Sequence, residues 1–282
     1  MTSPGLAEQV FDPPLVNPAP NGLYTATTWE PTDGPPRWLA SGMQFNVHNY
    51  GGAEAFGVWG ASWCVSADEL TEDDFKTGER PELPNPYDPI VVWAFDYCDL
   101  TARSREEVRT RARQNLRIVE QAAVEREFAE RMLLDGGAAD TAVNLVDAVS
   151  QLEAALAETN TLGFIHASPR LAAYAAAANL VVRSGTALKT PLGHTWVFGG
   201  GYVEGLGTTL VATSPTFGWR TEPIVHEAMK IEWNRFVAVA ERSVLIGYEA
   251  LLGAVSITES TSAGGFPGET NFPGSSNFPS GG

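Results

Sequence analysis

The chain has 282 residues, 44% of them apolar, which is enough to fill a sizeable core and excludes a disordered protein. Its 34 acidic and 18 basic residues leave a net charge of −16, which argues against a dedicated nucleic-acid-binding module, because phosphate contacts need clustered cations. No run of eighteen uncharged apolar residues occurs, and the start carries Pro and acid where a signal peptide is basic and then apolar, so a cytosolic protein is expected. Cys64 and Cys98 are too few for a disulfide framework and form no CxxC pair; free buried thiols are expected.

The first forty residues hold eight of the nineteen prolines, each of which fixes its own φ and biases its predecessor toward extended backbone. An arm is expected there, anchored along a surface by Phe11, Leu15, Tyr24, Trp29 and Trp38. Two segments rich in β-branched and aromatic residues follow, Val58 to Val65 and Ile90 to Cys98, and seven acids between Asp68 and Glu82 separate them. Two extended arms joined by an acidic tip is the simplest reading, and so long a loop is usually a binding element or a solvated insertion.

Arg103 to Leu134 has no Gly or Pro and is dominated by helix formers. Ser104 and Glu107 read as a capping box, and Asp135-Gly-Gly closes the far end. Val108, Ala112, Leu116, Val119 and Ala123, then Val124, Phe128 and Met132, supply the buried stripe. The remaining faces carry eight of the eighteen basic residues, Arg109, Arg113 and Arg117 among them.

A second helix is predicted over 141–158, with Leu145, Val149, Leu152 and Leu156 inward, then a strand at 163–166 and an alanine-rich helix from Pro169 to Val181. Between Gly185 and Gly218 glycines alternate with short apolar runs, so short strands and turns are expected. Residues 224–257 read as long strands. The tail repeats Phe266-Pro, Phe272-Pro and Phe278-Pro at six-residue intervals, which in extended form gives aromatic pegs roughly 19 Å apart.

Signatures of catalysis are missing. The four histidines form no HxxxH or HExxH pattern, no GxSxG elbow occurs, and Gly199 to Gly207 lacks the GK[ST] ending of a phosphate loop, so a flexible loop is expected there. No catalytic, metal-binding or cofactor-binding residue is assigned.

The segment Pro89-Ile-Val-Val-Trp93 through Arg103 to Leu134, with Gly207 to Pro215 and Asn234-Arg-Phe-Val-Ala-Val-Ala-Glu-Arg242 through Ala254-Val-Ser-Ile257, resembles tailed-phage major capsid proteins of the Hong Kong 97 type. The likeness is one of order and texture over most of residues 50–258. It implies an α+β fold with an N-terminal arm (1–50), an extended loop (51–100), the spine helix of a peripheral domain (101–136), a mainly axial domain (137–220), peripheral strands returning to the axial domain (221–258) and a tail (259–282).

The resemblance further implies hexamers and pentamers tiling an icosahedral head around double-stranded DNA in a virion. That head would form in the host cytoplasm with portal and scaffold or decoration proteins, without a membrane and without sequence-specific DNA binding. Glycine loops such as Gly199 to Gly207 would gather at the symmetry axes. An encapsulin-like compartment shell, or a cytosolic α/β enzyme, is the alternative.

Three features look unable to satisfy themselves and point to contacts between copies: the arm, the acidic loop and the pegged tail. Asp73, Asp74 and Lys76 of the loop, Arg109, Arg113 and Arg117 of a neighbour's helix, and Phe266, Phe272 and Phe278 are the candidate contacts. Some members of the family cross-link a loop lysine to an asparagine with help from a glutamate, and Lys76, Asn234 and Glu241 are the nearest positions here.

Overall fold

The computed structural model describes residues 11–31 and 40–258. Trp38 and the three tail residues Phe266, Phe272 and Phe278 lie outside the described residues. In chain order the elements are α1 (Leu23–Ala26), β1 (Thr28–Trp29), β2 (Ile90–Cys98), α2 (Ala102–Gly136), β3 (Asp140–Ala142), α3 (Leu145–Glu158), β4 (Phe164–Ala167) and α4 (Ala172–Ala177). They continue with β5 (Val182–Ser184), β6 (Ala187–Lys189), β7 (Thr195–Phe198), α5 (Tyr202–Gly205), β8 (Thr209–Thr213), β9 (Thr216–Arg220), β10 (Ile224–Lys230), β11 (Arg235–Tyr248) and β12 (Leu251–Ile257). Helices alternate with strands as far as α4, strands dominate from β5 on, and most strand pairs are antiparallel, an α+β architecture.

The long helix starts a turn's cap earlier than the capping-box reading places it. Thr101 is extended, and its Oγ1 accepts the Ser104 N–H at 3.3 Å. The Asp99 carboxylate accepts the Thr101 N–H at 2.8 Å and holds the cap in that geometry, so Ser104 is already helical. Gly137, at φ +60°, ends the helix where glycine was expected to.

The buried line also differs from the predicted one. It runs Val108, Ala112, Leu116, Glu120, Val124, Phe128 and Met132, each four residues after the last. Four residues advance about 40° beyond a full turn, so the line winds around the helix. It faces β2 and β11 first, then α5 and β12. Val119 is 47% exposed, and Glu120 holds the inward position instead. The Tyr24 hydroxyl donates to its Oε1 at 2.7 Å, and Arg242 Nη1 lies 3.4 Å away, which compensates the buried carboxylate.

Residues 58–65 form no strand, contrary to the paired-arm reading. Val58 is 97% and Trp63 99% exposed. The segment returning toward Ile90 carries Pro81, Pro84, Pro86 and Pro89, which remove ladder donors just where a hairpin would close. The base of this loop is nonetheless anchored: Met43 bridges Tyr87, whose buried hydroxyl donates to Tyr248 O at 3.0 Å.

β2 pairs antiparallel with β11, Cys98 opposite Phe236 and Ile90 opposite Val244. Val244 also pairs with Arg220, and Glu241 with both Ile224 and Trp93, so β9 and β10 lie end to end along one edge of β11 and β2 along the other. β1 adds in parallel to β9. The second sheet has seven strands in the order β3-β12-β8-β4-β7-β6-β5.

Alternation along the second sheet divides its side chains between two cores. Val197 and Val211 join the cluster around α2; Ile165, Trp196, Leu210, Ala212 and Val255 join the cluster with α3 and Leu171. His166, with no exposure, points into the cluster around α2 beside Phe128, its Nδ1 3.0 Å from the Tyr202 hydroxyl and its Nε2 2.9 Å from Thr213 Oγ1.

Local boundaries shift for identifiable reasons. Residues 141 and 142, predicted to open the second helix, belong to β3, which pairs with β12, because Asn144 caps α3 by accepting the Asp147 N–H at 3.0 Å. The alanine-rich helix is a 3-10 turn at Pro169–Leu171 followed by the short α4, and Asn179 leaves it at φ +58°. Gly199 to Gly201 is not a free loop: it is pressed onto α2. A Cβ at Gly199 would lie 2.5 Å from the Glu125 carboxyl carbon, and one at Gly201 would lie 2.3 Å from Ala122 O. Glycine serves close approach here. Cys64 and Cys98, expected inside, are both exposed.

Candidate assembly surfaces

The sheet of β2, β11 and β10 is covered on one face only. Val92, Ala94, Phe236, Ala238 and Ala240 point to α2 and are buried. The intervening residues form an outer face on which Val91, Trp93, Phe95 and Tyr97 lie opposite Ser243, Glu241, Val239 and Val237. Trp93 is 62% exposed, Phe95 43% and Tyr97 50%. Arg235 sits 4.2 Å over the Tyr97 ring, and His226 Nε2 is 3.1 Å from Glu241 Oε1 on the same face. An exposed row of large apolar side chains of this kind is a candidate interaction surface. The signal was legible: Ile90 to Cys98 is apolar at both parities except Asp96, the pattern of a strand covered on both sides. The outer edges of β2 and β10 have no strand partner among the described residues.

The loop between Met43 and Tyr87 displays Phe56, Val58, Trp63, Phe75 and Leu83, all at least half exposed. Asp73 and Asp74 belong to a 3-10 turn, Glu72–Asp74, capped by Thr71. Asp74 Oδ2 accepts from both the N–H and the hydroxyl of Thr71 at 2.8 Å, which holds its carboxyl below the usual range. Lys76 lies 4.9 Å over the Trp59 ring. Among the described residues no acid of this loop pairs with an arginine of α2.

The three helix arginines differ. Arg109 is engaged within the chain, its Nε 2.6 Å from Glu227 Oε1 and its Nη2 2.9 Å from Oε2, and this fork holds the Glu227 carboxyl below its ordinary value. Arg117 donates to Asn17 Oδ1, and Arg113 has no carboxylate within 4 Å among the described residues. Asn17 is part of a seam in which the arm follows α2: Gln114 Nε2 donates to Val16 O at 2.7 Å and Gln121 Nε2 to Asn21 O at 2.6 Å.

The seam ends at Glu125. Its carboxylate accepts N–H groups from Leu23 at 2.9 Å, Gly201 at 2.9 Å and Gln121 at 2.8 Å, tying arm, helix and glycine segment together. Burial pushes this carboxyl up, against those donors. Sequence reasoning missed Glu125; a lone glutamate in a charged helix carries no signal of its own.

The cross-link positions are not brought together within one chain. Asn234, at φ +46°, forms the turn between β10 and β11, and Glu241 is seven residues farther along β11, about 23 Å by strand rise. Lys76 is on the loop. Among the described residues no group of His, Cys, Asp and Glu is arranged to hold a metal ion, and no helix is long and apolar enough to cross a membrane.

No family model matches the chain. No curated protein matches it. Among solved structures it is similar to one titled Mycobacterium phage Che8, at 13% identity and a TM-score of 0.47, over 91% of this chain and 98% of that one. It is similar to the capsid of Ralstonia phage GP4 at 11% identity and a TM-score of 0.48, over 91% and 96%. An encapsulin complex from Synechococcus elongatus aligns at 11% identity and 0.48, over 64% and 77%. At these identities and scores the likenesses carry no argument for family or function. The fold and its surfaces define an α+β protein in which, among the described residues, one sheet face is uncovered and the 43–87 loop exposes several large apolar side chains.

Proposed function

We propose that this chain is a shell subunit, the major capsid protein of a tailed phage with a Hong Kong 97-like fold. It would self-assemble into hexamers and pentamers that form an icosahedral head around double-stranded DNA, assembled in the host cytoplasm, with a portal and scaffold or decoration proteins as partners. The observation that carries self-association is the outer face of Val91, Trp93, Phe95 and Tyr97, together with a loop in which Phe56, Val58, Trp63, Phe75 and Leu83 are at least half exposed. Covering the exposed halves of three aromatic side chains removes roughly 300 Å² from water, worth ~7 kcal/mol before the cost of association. The sequence order of arm, loop, spine helix and closing strands supports the capsid reading in particular.

In this reading the loop of one copy lies across the outer face of the next, with Asp73, Asp74 and Lys76 at its tip as contacts. The arm seam presents Arg113 and Arg117, whereas Arg109 acts chiefly inside its own subunit. Phe266, Phe272 and Phe278 strap an adjoining copy. Electron microscopy of the expressed full chain tests the proposal: closed shells are expected, and Trp93→Glu with Phe95→Glu should leave folded, unassembled subunits. A wild-type chain that stays monomeric at assembly concentrations overturns it, and particles filled with an enzyme cargo would make the shell a compartment.

A further inference from the structure

Four of the eighteen basic residues line one open pocket of about 520 Å³, and Glu120 is the one acid among its described lining residues. Arg113 and Arg117 come from successive turns of α2, Arg220 from the end of β9 and Arg242 from β11, while Tyr24 of the arm forms a wall. At the floor Arg242 is 12% exposed and Glu120 8% exposed, 3.4 Å apart. Arg220 is braced against aromatic rings, 4.4 Å from Trp29 and 5.7 Å from Tyr24.

We infer that this pocket binds phosphate groups. Guanidinium groups meet phosphate oxygens through paired N–H donors, and arginines from three separate elements converge on one concavity, the arrangement that a multivalent oxyanion satisfies. The acidic loop of a second copy is a poorer match. Its seven acids are spread over fifteen residues, and Glu69 and Asp74 are already turned onto the Ser66 and Thr71 N–H groups of their own backbone. Because Tyr24 and Pro18 belong to the arm, a bound phosphate also fastens the arm to the helix.

The phosphate can come from a free oligophosphate or from a nucleic-acid backbone, and titration of the full chain with pyrophosphate and with a short DNA duplex, at matched ionic strength, separates these sources. Pyrophosphate is expected to bind, to raise the melting temperature above that in chloride, and to lose roughly tenfold or more in affinity in Arg113→Gln/Arg117→Gln. Both positions are exposed, and unchanged circular dichroism verifies that this variant folds. Arg113→Lys/Arg117→Lys, which keeps charge without the fork, should bind at an intermediate level. Competition by the duplex assigns the site to nucleic acid, and its absence assigns the site to a free oligophosphate. Binding of neither probe, affinity unchanged in the Gln variant, or binding only of a peptide spanning 66–84 overturns the inference. Shell formation is read separately by microscopy, so the two proposals fail independently.

Discussion

The two sheets of this protein follow the same alternation but end in different states. In the seven-stranded sheet successive residues enter two cores, so Leu210, Val211 and Ala212 are all fully buried. Where β2 pairs with the first half of β11, only every second residue is covered, and the others leave an aromatic face in solvent. Strand chemistry is therefore not what separates them. A helix layer covers the second face of one sheet and, among the described residues, no element covers that of the other, so one sheet is buried on both faces and the other on one.

The widest contrast lies between Leu210→Ala and Trp93→Ala. The first opens a cavity in a doubly covered strand and should cost about 2–5 kcal/mol; the second truncates an outward side chain and should move subunit stability by less than ~0.5 kcal/mol. Denaturant unfolding of dissociated subunits measures both, and equal effects would break the distinction between the sheets.

Acid sharpens it next. Burial holds His166 down at about 3, so the folded chain refuses a proton that the unfolded chain takes up near 6.5. The stability this group provides is complete above pH 6.5 and is lost as pH falls from there toward 3, at up to ~1.4 kcal/mol per unit. His166→Gln should flatten the stability profile between pH 6.5 and 5, above the range where most carboxylates titrate. Glu125, pushed upward, works in the opposite sense, regaining stability as it protonates. An unaltered slope in the variant would place the acid sensitivity elsewhere.

The smallest effect concerns the helix under the half-covered sheet. Thr101→Ala removes the hydroxyl that caps α2 and should cost about 1 kcal/mol by thermal or denaturant unfolding, whereas Ser104→Ala should cost less, since Ser104 N–H is the group being capped. The reverse order would restore the capping box at Ser104.

The long helix, the inward face of Leu145, Val149, Leu152 and Leu156, and the late strands were legible because each rests on local periodicity and helix or strand formers within a few turns. The paired arms were not. Ile90 to Cys98 is strand-forming on any local reading, but its partner is β11, some 140 residues away, and only the assembled sheet selects that register over the nearer 58–65 segment. Glu120 shows a related limit: a carboxylate enters a buried stripe only because Tyr24 and Arg242 arrive from distant segments to pair with it. The glycines at 199–201 read as flexibility until the helix they touch is in place.

By itself, then, the sequence determined the long helix, the inward face of α3 and the late strands, that the chain is acidic, and that its arginines concentrate on one helix. Tertiary structure alone decided which strand β2 joins, which face of it stays open, and that four arginines from three elements share one pocket. The physical reason is range. Propensity and periodicity act over a few residues, whereas cover, charge pairing and close approach are set by segments that meet only after the chain has folded.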